Sequence, residues 1–188
     1  MVVISMKSKD IVIVGVLLGI GAIVRLVSLV IPGAITSNLV IAFYALAIAL
    51  ILPTLTEAIG IGLVAGIICA LISHSVFPPA NLNSEPVGAI VALLVIKGAL
   101  IPNVLRKYKA GVTALVATLA SGFTFAAVAA FVIVALPEFL NKAAPSLAKG
   151  APPVDVFILG LLPIVIGCAI VNFFIAQVLY IPAKKAMR

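Results

Sequence analysis

Six apolar runs dominate this chain, and they approach or exceed the length that a helix needs to cross a membrane. A transmembrane helix requires about 20 largely apolar residues. None of the runs shows the alternation of apolar and polar residues that a membrane strand requires. We therefore predict an all-α fold, in which residues 1–188 form a single domain: an integral membrane bundle of six transmembrane helices. The runs cover residues 11–31, 39–52, 57–73, 87–101, 112–136 and 156–181.

The proportions of apolar and charged residues also indicate a membrane environment. Hydrophobic residues make up 65% of the chain and charged residues only 9%, whereas a soluble domain is nearer half apolar and a quarter charged. The net charge of +7 would suit nucleic-acid binding in a soluble protein. Here, however, the basic residues lie mainly at the ends of apolar runs. We therefore expect contact with membrane lipid and no nucleic-acid partner.

The basic residues also predict the orientation of the bundle. Six spans place both termini on one side, and Lys and Arg concentrate in cytoplasmic loops. With both termini cytoplasmic, the outer loops hold only Lys142 and Lys149. The opposite orientation would reverse the positive-inside bias, so we predict a multi-pass protein with cytoplasmic termini. The basic residues at the inner ends are then Lys7, Lys9, Arg106, Lys107, Lys109, Lys184, Lys185 and Arg188.

Two polar, proline-bearing loops, residues 73–86 and 137–155, fall on the outer side in this orientation. The first has two interpretations. As a connector, it would place Pro86 in the first turn of the fourth helix, with Ser84 or Glu85 as a cap. As the rim of a pocket, it would bind a solute through its amide and carboxyl groups, the carboxyl accepting an amine. These groups belong to Asn81, Asn83 and Glu85.

Arg25 interrupts the first apolar run. It lies roughly 22 Å along the helix from Asp10, at 1.5 Å per residue, and therefore in the outer half of the membrane. A guanidinium at this depth is costly unless it is paired or faces water. Arg25 is predicted either to clamp a substrate carboxylate or to snorkel or form an internal ion pair, for example with Glu85. Tyr44 and Thr124 lie at depths that suit the same pocket.

The first helix carries small residues at helical spacing. Gly15 and Gly19 are four residues apart and share one face, and Ala22 continues the stripe. Small residues at this spacing let another helix approach closely. The stripe is predicted either to dock on a partner membrane protein or to pack within this bundle.

The sequence contains no recognisable catalytic or metal-binding pattern. It has no HExxH, GxSxG or P-loop motif, and only one histidine and five acidic residues. Cys69 and Cys168 lie inside apolar runs, outside any CxxC motif. We therefore predict a protein that is not an enzyme and holds no metal or cofactor. Active import by such a chain would take its energy from a partner or from an ion gradient.

Three stretches resemble a known family: residues 6–10 (Met-Lys-Ser-Lys-Asp), the glycine-rich first helix, and the loop from Phe77-Pro78 to Glu85-Pro86. They are similar to the substrate-binding S component of energy-coupling factor (ECF) transporters, most closely the tryptophan-transporter branch. The resemblance implies a subunit of a prokaryotic cell membrane that captures its substrate at the outer face. It also implies docking on a membrane T component that works with two ATP-binding subunits. The docking face would consist of Gly15, Gly19 and Ala22.

This resemblance favours tryptophan as the substrate. A vitamin such as thiamine is the alternative substrate. The alternative mechanism is a self-sufficient carrier driven by an ion gradient. An aromatic amino acid needs a cation for its carboxylate, an acceptor for its amine and an apolar slot for its ring. Arg25 would supply the cation, Glu85 the acceptor and Phe77 part of the slot. The predicted substrate-binding residues are Arg25, Tyr44, Phe77, Asn81, Asn83, Glu85 and Thr124.

Overall fold

The fold is described from a computed structural model. Its regular secondary structure within the described residues is helical and contains no strand. The all-α prediction is therefore confirmed. The described residues are 6–30, 38–73, 75, 77–98, 103–138, 142 and 153–187. Their six α-helices are α1 (Ser8–Val30), α2 (Val40–Ile51), α3 (Leu55–Leu71), α4 (Asn81–Ile96), α5 (Lys109–Ala135) and α6 (Val154–Ala186).

Four of the described helical segments are long and apolar enough to cross a membrane. The helices α2 and α3 are also apolar but have only 12 and 17 residues. The outside of the bundle carries many large apolar side chains, including Val16, Ile23, Phe131, Leu159 and Phe174. Such a surface suits lipid, because backbone polar groups are satisfied within the helices. The four long segments are Ser8–Val27, Pro78–Ile96, Leu105–Ala135 and Val154–Ala186.

The shortest of these helices, α2, lies at the centre of the bundle. Its residues from Val40 to Ala49 are all buried, and it contacts each of the other five described α-helices. Alanines alternate with larger apolar residues along it, so several neighbours approach its backbone. Because protein surrounds α2 on every side, its length is not set by the thickness of the hydrocarbon layer.

Neighbouring helices run antiparallel, as their contacts along α3–α4 and α4–α5 show, and two glycines on α3 let it approach α4 closely. A Cβ at Gly62 would lie 2.5 Å from Pro86 Cα, and one at Gly66 would lie 2.7 Å from the Asn81 carbonyl oxygen. Only glycine permits such contact between α3 and α4. In contrast, a Cβ at Gly15 or Gly19 of α1 would meet no described residue within 4 Å. The described part of the bundle therefore does not pack through these two glycines, contrary to one of the two predicted alternatives.

The start of α4 corrects the prediction for residues 73–86. A 3₁₀ turn at Pro78–Ala80 leads directly into α4, which begins at Asn81. Ser84 and Glu85 therefore lie within the helix and do not cap it, and Pro86 lies inside α4 instead of in its first turn. The helix α4 can start this early because Pro78 and Pro79 precede it. Proline has no backbone N–H, so neither residue needs a hydrogen-bond acceptor at the helix N-terminus.

The other helix ends differ from the apolar runs by a few residues. The helix α4 ends at Ile96 instead of at residue 101, because Gly98 adopts φ +88° and such a residue terminates a helix. The helix α5 begins at Lys109, and α6 reaches Ala186. Both helices therefore continue beyond the apolar runs and include neighbouring segments that contain lysine. Most of the predicted outer loop at 137–155 lies outside the described residues.

One end of the bundle carries most of the described basic residues. The Met6 backbone N–H donates to Glu57 Oε1 at 2.6 Å, which joins the beginnings of α1 and α3. Gln177 near the end of α6 accepts from the Gly111 backbone N–H at 3.1 Å and donates to the Lys107 carbonyl at 3.2 Å. Because the helices alternate in direction, the starts of α1, α3 and α5 and the end of α6 lie together. This end is called the basic end below.

Candidate functional site

A polar cluster lies in the interior of the bundle, around its middle and towards the end opposite the basic end. Ser121, for example, is 12 residues from the start of α5, which corresponds to about 18 Å along the helix. Buried polar side chains inside a membrane bundle are costly and mark functional sites by default. The polar cluster consists of Arg25, Asn38, Tyr44, Cys69, Ser84, Glu85, Thr118, Ser121, Cys168 and Asn172, which come from all six described α-helices and the residues beside them.

Glu85 is the centre of the polar cluster and is fully buried. Its Oε1 accepts a hydrogen bond from the Asn38 side-chain amide and another from Ser121 Oγ at 3.1 Å. The Tyr44 hydroxyl lies close enough to the carboxyl group for the two to interact. Neither this hydroxyl nor Glu85 Oε2 makes a hydrogen bond of normal geometry with any described residue. One oxygen of the acid is thus held by protein, and the other keeps acceptor capacity.

Arg25 enters the polar cluster from α1 and is only 4% exposed. Its Nη1 donates to Cys69 Sγ at 3.6 Å, and Cys69 Sγ donates to Asn38 Oδ1 at 3.3 Å. The guanidinium is close enough to Glu85 for their charges to attract. A buried cation and a buried acid stabilise each other in a medium that cannot hydrate either. The structure therefore brings together the two ionisable residues that the sequence placed in separate segments.

Asn172 ties α5 and α6 to the same network. Its Nδ2 donates to Thr118 Oγ1 at 2.9 Å and to the backbone carbonyl of Asn38 at 3.1 Å. The same nitrogen contacts Cys168 Sγ at 3.6 Å. Thr118 in turn donates to the carbonyl of Ala114 at 2.7 Å, which satisfies its hydroxyl on both sides. The amide thus fixes α6 against both α5 and the beginning of α2.

The polar cluster forms one wall of a cavity of about 110 Å³. A single water molecule needs only roughly 10–15 Å³, so this cavity has room for part of a small organic molecule. Ser73, Ser75 and Asn81 add further polar groups to its lining. A cavity lined by both polar and apolar residues suits an amphipathic solute. Its apolar lining residues include Ile41, Phe125, Leu161, Ile164 and Val165.

Two polar atoms of the cavity wall are available to a ligand. Ser84 Oγ and Glu85 Oε2 are buried, and neither makes a hydrogen bond of normal geometry with a described residue. Leaving a buried polar group unpaired costs about 1–3 kcal/mol. A solute that donates to Glu85 and exchanges a hydrogen bond with Ser84 would remove this cost. These atoms are therefore the strongest sign that the cavity is built to bind something.

The predicted binding residues fall into two groups. Arg25, Asn81 and Glu85 line the cavity, and the Asn81 side chain also donates to the Pro78 carbonyl at 2.7 Å. Tyr44 is fully buried and reaches the polar cluster through its contact with Glu85.

The other three predicted binding residues are not among the described residues that line the cavity. Asn83 is exposed on the surface of α4, and Phe77 is half-buried just before the 3₁₀ turn. Thr124 donates its hydroxyl to the carbonyl of Ala120 at 2.8 Å, within its own helix. Helical phase accounts for this separation, because Asn83 and Glu85 are two residues apart on α4 and point to different sides.

Sequence reasoning missed several members of the polar cluster as site residues. Thr118 and Ser121 are three residues apart, and Cys168 and Asn172 are four apart. Each pair therefore lies on one helix face, and this spacing was a usable signal. Asn38 gave no such signal, since it follows a short polar stretch that suits a turn.

The remaining predictions concern docking and metal binding. Gly15 and Gly19 are exposed on α1 and Ala22 is half-buried, so the stripe is accessible from outside the described bundle. No group of three or more His, Cys, Asp and Glu residues in the described part of the chain is arranged to hold a metal ion. His74, the only histidine, lies outside the described residues.

The fold and the site together define a helical membrane protein with a cavity whose lining combines polar and apolar residues. No protein-family model matches the chain, no curated protein matches it in sequence, and no solved structure matches its fold.

Proposed function

We propose that this chain is the substrate-binding membrane subunit of an ATP-driven importer of the ECF type, with six spans and cytoplasmic termini. The observation that carries the proposal is that a buried cation, Arg25, and a buried acid, Glu85, line one cavity. An α-amino acid presents a carboxylate and an ammonium group, which are complementary to this pair. The solute therefore binds with its carboxylate towards Arg25 and its amine towards Glu85 Oε2 and Ser84.

The apolar lining of the cavity favours a solute with an aromatic or other apolar side chain. Phe125, Leu161 and Ile164 line the cavity together with the polar cluster, and Phe125 takes the role predicted for Phe77. Tryptophan satisfies all three requirements of such a site: an acid, an amine and a ring. It is the solute that we propose first.

The packing of the bundle between the cavity and the basic end supports a role for partner proteins in transport. Between the cavity and the basic end, the interior is filled by a continuous apolar core that includes Leu46, Ile48, Ala110 and Tyr180. Such a core is packed like an organic crystal and leaves a solute no path. A solute held in the cavity is thus released inward only when the subunit changes its position or shape. A T component and two ATP-binding subunits would supply that change.

Binding by the purified protein tests the proposed site. Titration calorimetry in detergent should show binding of L-tryptophan. Arg25→Gln and Glu85→Gln should each weaken this binding at least tenfold. The reason is that removing one partner of a buried charge contact costs about 2–5 kcal/mol. Arg106→Gln and Glu138→Gln are matched controls, because both side chains are exposed. Unchanged affinity in both site variants would remove these assignments.

Reconstitution separates the ATP-driven mechanism from a gradient-driven one. Vesicles that contain this chain alone should bind the solute without accumulating it, under a proton or a sodium gradient. Accumulation by the chain alone would favour the secondary carrier. Co-purification with a T component and ATP-binding subunits from native membranes would support the importer.

A further inference from the structure

A second cavity, of about 210 Å³, lies between α5 and α6 and is called the α5–α6 groove below. The described residues that line it include no charged residue and no side-chain hydrogen-bonding group. Gly122, Ala126 and Ala130 recur every four residues along α5 and therefore share one face. They form a shallow floor about 12 Å long at 1.5 Å per residue. The groove is lined by Gly122, Phe123, Ala126, Ala127, Ala130, Ile158, Leu161, Leu162 and Val165.

The α5–α6 groove adjoins the polar cavity. The two share three lining residues, Gly122, Leu161 and Val165. Gly122 packs closely against Val165, since a Cβ at Gly122 would lie 2.6 Å from Val165 Cγ1, so an apolar group that passes between them must displace the Val165 side chain. Nothing larger than glycine fits opposite Val165 without displacing it. The absence of a side chain at residue 122 thus keeps the two spaces adjacent.

We propose that the α5–α6 groove is an apolar subsite for the far end of the same solute whose charged end binds Arg25 and Glu85. The inference rests on the proposed function and narrows it. The substrate class becomes an amphipathic solute with a compact amino-acid-like head and an apolar group that passes Gly122. Two observations point to this occupant: the shared lining residues, and the unpaired Glu85 Oε2 and Ser84 Oγ in the adjoining cavity, which require a polar head there. A lipid acyl chain in the groove would have no connection to those atoms.

A chain-length series tests the subsite. The probes are straight-chain 2-amino acids from 2-aminobutanoic to 2-aminododecanoic acid, titrated into the purified protein in one detergent. In the unmodified protein, affinity should rise about fourfold for each added methylene group, in line with the transfer of one methylene from water to an apolar site. Ala126→Leu narrows the groove without touching the cavity lining, so it should flatten this rise for the longer chains and leave the shortest binders unchanged.

The control variant and the outcomes separate the two proposals. Ala135→Leu adds the same side chain to an exposed position at the end of α5, outside the groove, and should keep the full rise. The same rise in Ala126→Leu as in the unmodified protein would overturn the subsite alone. Failure of every probe and of L-tryptophan to bind the unmodified protein would overturn both the subsite and the proposed function.

A direct measurement avoids any dependence on the folding of a variant. A 2-amino acid with a terminal diazirine is bound to the unmodified protein and photolysed, and the adducts are located by mass spectrometry. The subsite places them within residues 123–130 and 158–162, and excess unlabelled 2-aminododecanoic acid should reduce them at least tenfold. Adducts confined to Ile41 and Ile164 in the polar cavity, or adducts that this competitor does not reduce, would overturn the subsite.

Discussion

The side-chain amide of Asn38 donates a hydrogen bond to Glu85 Oε1 across 47 residues of sequence. The same amide accepts from Cys69, and the Asn38 backbone carbonyl accepts from Asn172. One residue in front of α2 therefore holds three other helices around the cavity. Asn38 both orients the acid proposed to bind the solute and ties together the bundle that carries it.

Replacing Asn38 should affect stability and binding together. Asn38→Ala removes two side-chain hydrogen bonds and leaves Glu85 Oε1 and the Cys69 thiol with fewer partners. The backbone carbonyl that accepts from Asn172 remains. Interhelical hydrogen bonds in membranes contribute about 0.6 kcal/mol on average, and up to about 1.7. We expect the free energy of unfolding, measured by SDS titration in mixed micelles, to fall by about 1–3 kcal/mol, with weaker L-tryptophan binding.

Asn83→Ala is the matched control for this experiment. Asn83 is exposed on α4, and surface substitutions usually change stability by less than about 0.5 kcal/mol. Equal effects of the two substitutions would contradict the central place of Asn38.

The close contact of α3 with α4 predicts opposite outcomes for two glycines on one helix. Gly62→Ala would place a methyl group 2.5 Å from Pro86 Cα, so the helices must separate at a cost of about 1–3 kcal/mol. Gly60→Ala meets nothing within 4 Å and should be neutral or stabilising by up to about 1 kcal/mol, because alanine favours the helix. Thermal unfolding in detergent measures both. A tolerated Gly62→Ala would show that the described approach of the two helices is wrong.

The success and the errors of sequence reasoning have one physical origin. Long apolar runs identify membrane helices because length and composition are all that the hydrocarbon layer demands. Polar residues between two runs, however, occur for two different reasons. They lie either in a loop or on the inner face of a helix at a binding site. Asn81, Ser84 and Glu85 were assigned to a loop, yet they are helical and buried.

The site could be predicted in part for the same reason. An isolated charge such as Arg25 is so costly in a membrane that it signals a site by itself. Small polar residues such as Ser121 carry no such signal, because a hydroxyl can bond to its own helix. Small-residue spacing identified a helix face on α1 but not its occupant. The same spacing occurs at Gly62 and Gly66 on α3, and these two glycines do pack closely within the described bundle. Which faces meet depends on the tertiary arrangement, which no single helix encodes.

Gly88 and Tyr44 should show strong coupling in a double-mutant cycle. A Cβ at Gly88 would collide with the Tyr44 hydroxyl and would also lie 3.1 Å from Ser121 Cβ. Gly88→Ala alone should therefore destabilise the protein by about 1–3 kcal/mol. Tyr44→Phe removes the colliding oxygen, which has no hydrogen bond of normal geometry among the described residues, and should be nearly neutral.

The combined variant then distinguishes this contact from general crowding. We expect Tyr44→Phe to restore at least 1 kcal/mol of the loss in Gly88→Ala, within the usual range of about 0.5–3 kcal/mol for residues in contact. Unfolding by SDS titration of the four proteins measures the coupling. Additive effects would mean that the Tyr44 hydroxyl does not limit the space at Gly88.

Labelling tests the proposed topology. Lys185→Cys lies at the basic end and Glu138→Cys at the opposite end of α5, and both positions are exposed. In intact cells, an impermeant maleimide should label Glu138→Cys and reach Lys185→Cys only after the membrane is opened. The native Cys69 and Cys168 are buried and should give little background. The reverse pattern would overturn the orientation.

The exposed stripe on α1 predicts a defect in assembly without a defect in folding. Gly15 and Gly19 have no described residue within 4 Å of a Cβ placed there, so Gly15→Leu and Gly19→Leu should leave both thermal stability and L-tryptophan binding unchanged in detergent. If the stripe is where the proposed T component docks, the added side chains prevent the close approach that glycine allows, and co-purification with the partner should fall at least tenfold.

Gly21→Leu is the contrasting control, because a Cβ there would lie 3.1 Å from Phe43 Cδ2 and 3.2 Å from Val40 Cα. It should destabilise the isolated subunit by about 1–3 kcal/mol. Normal co-purification of the Gly15 and Gly19 variants would place the docking surface elsewhere.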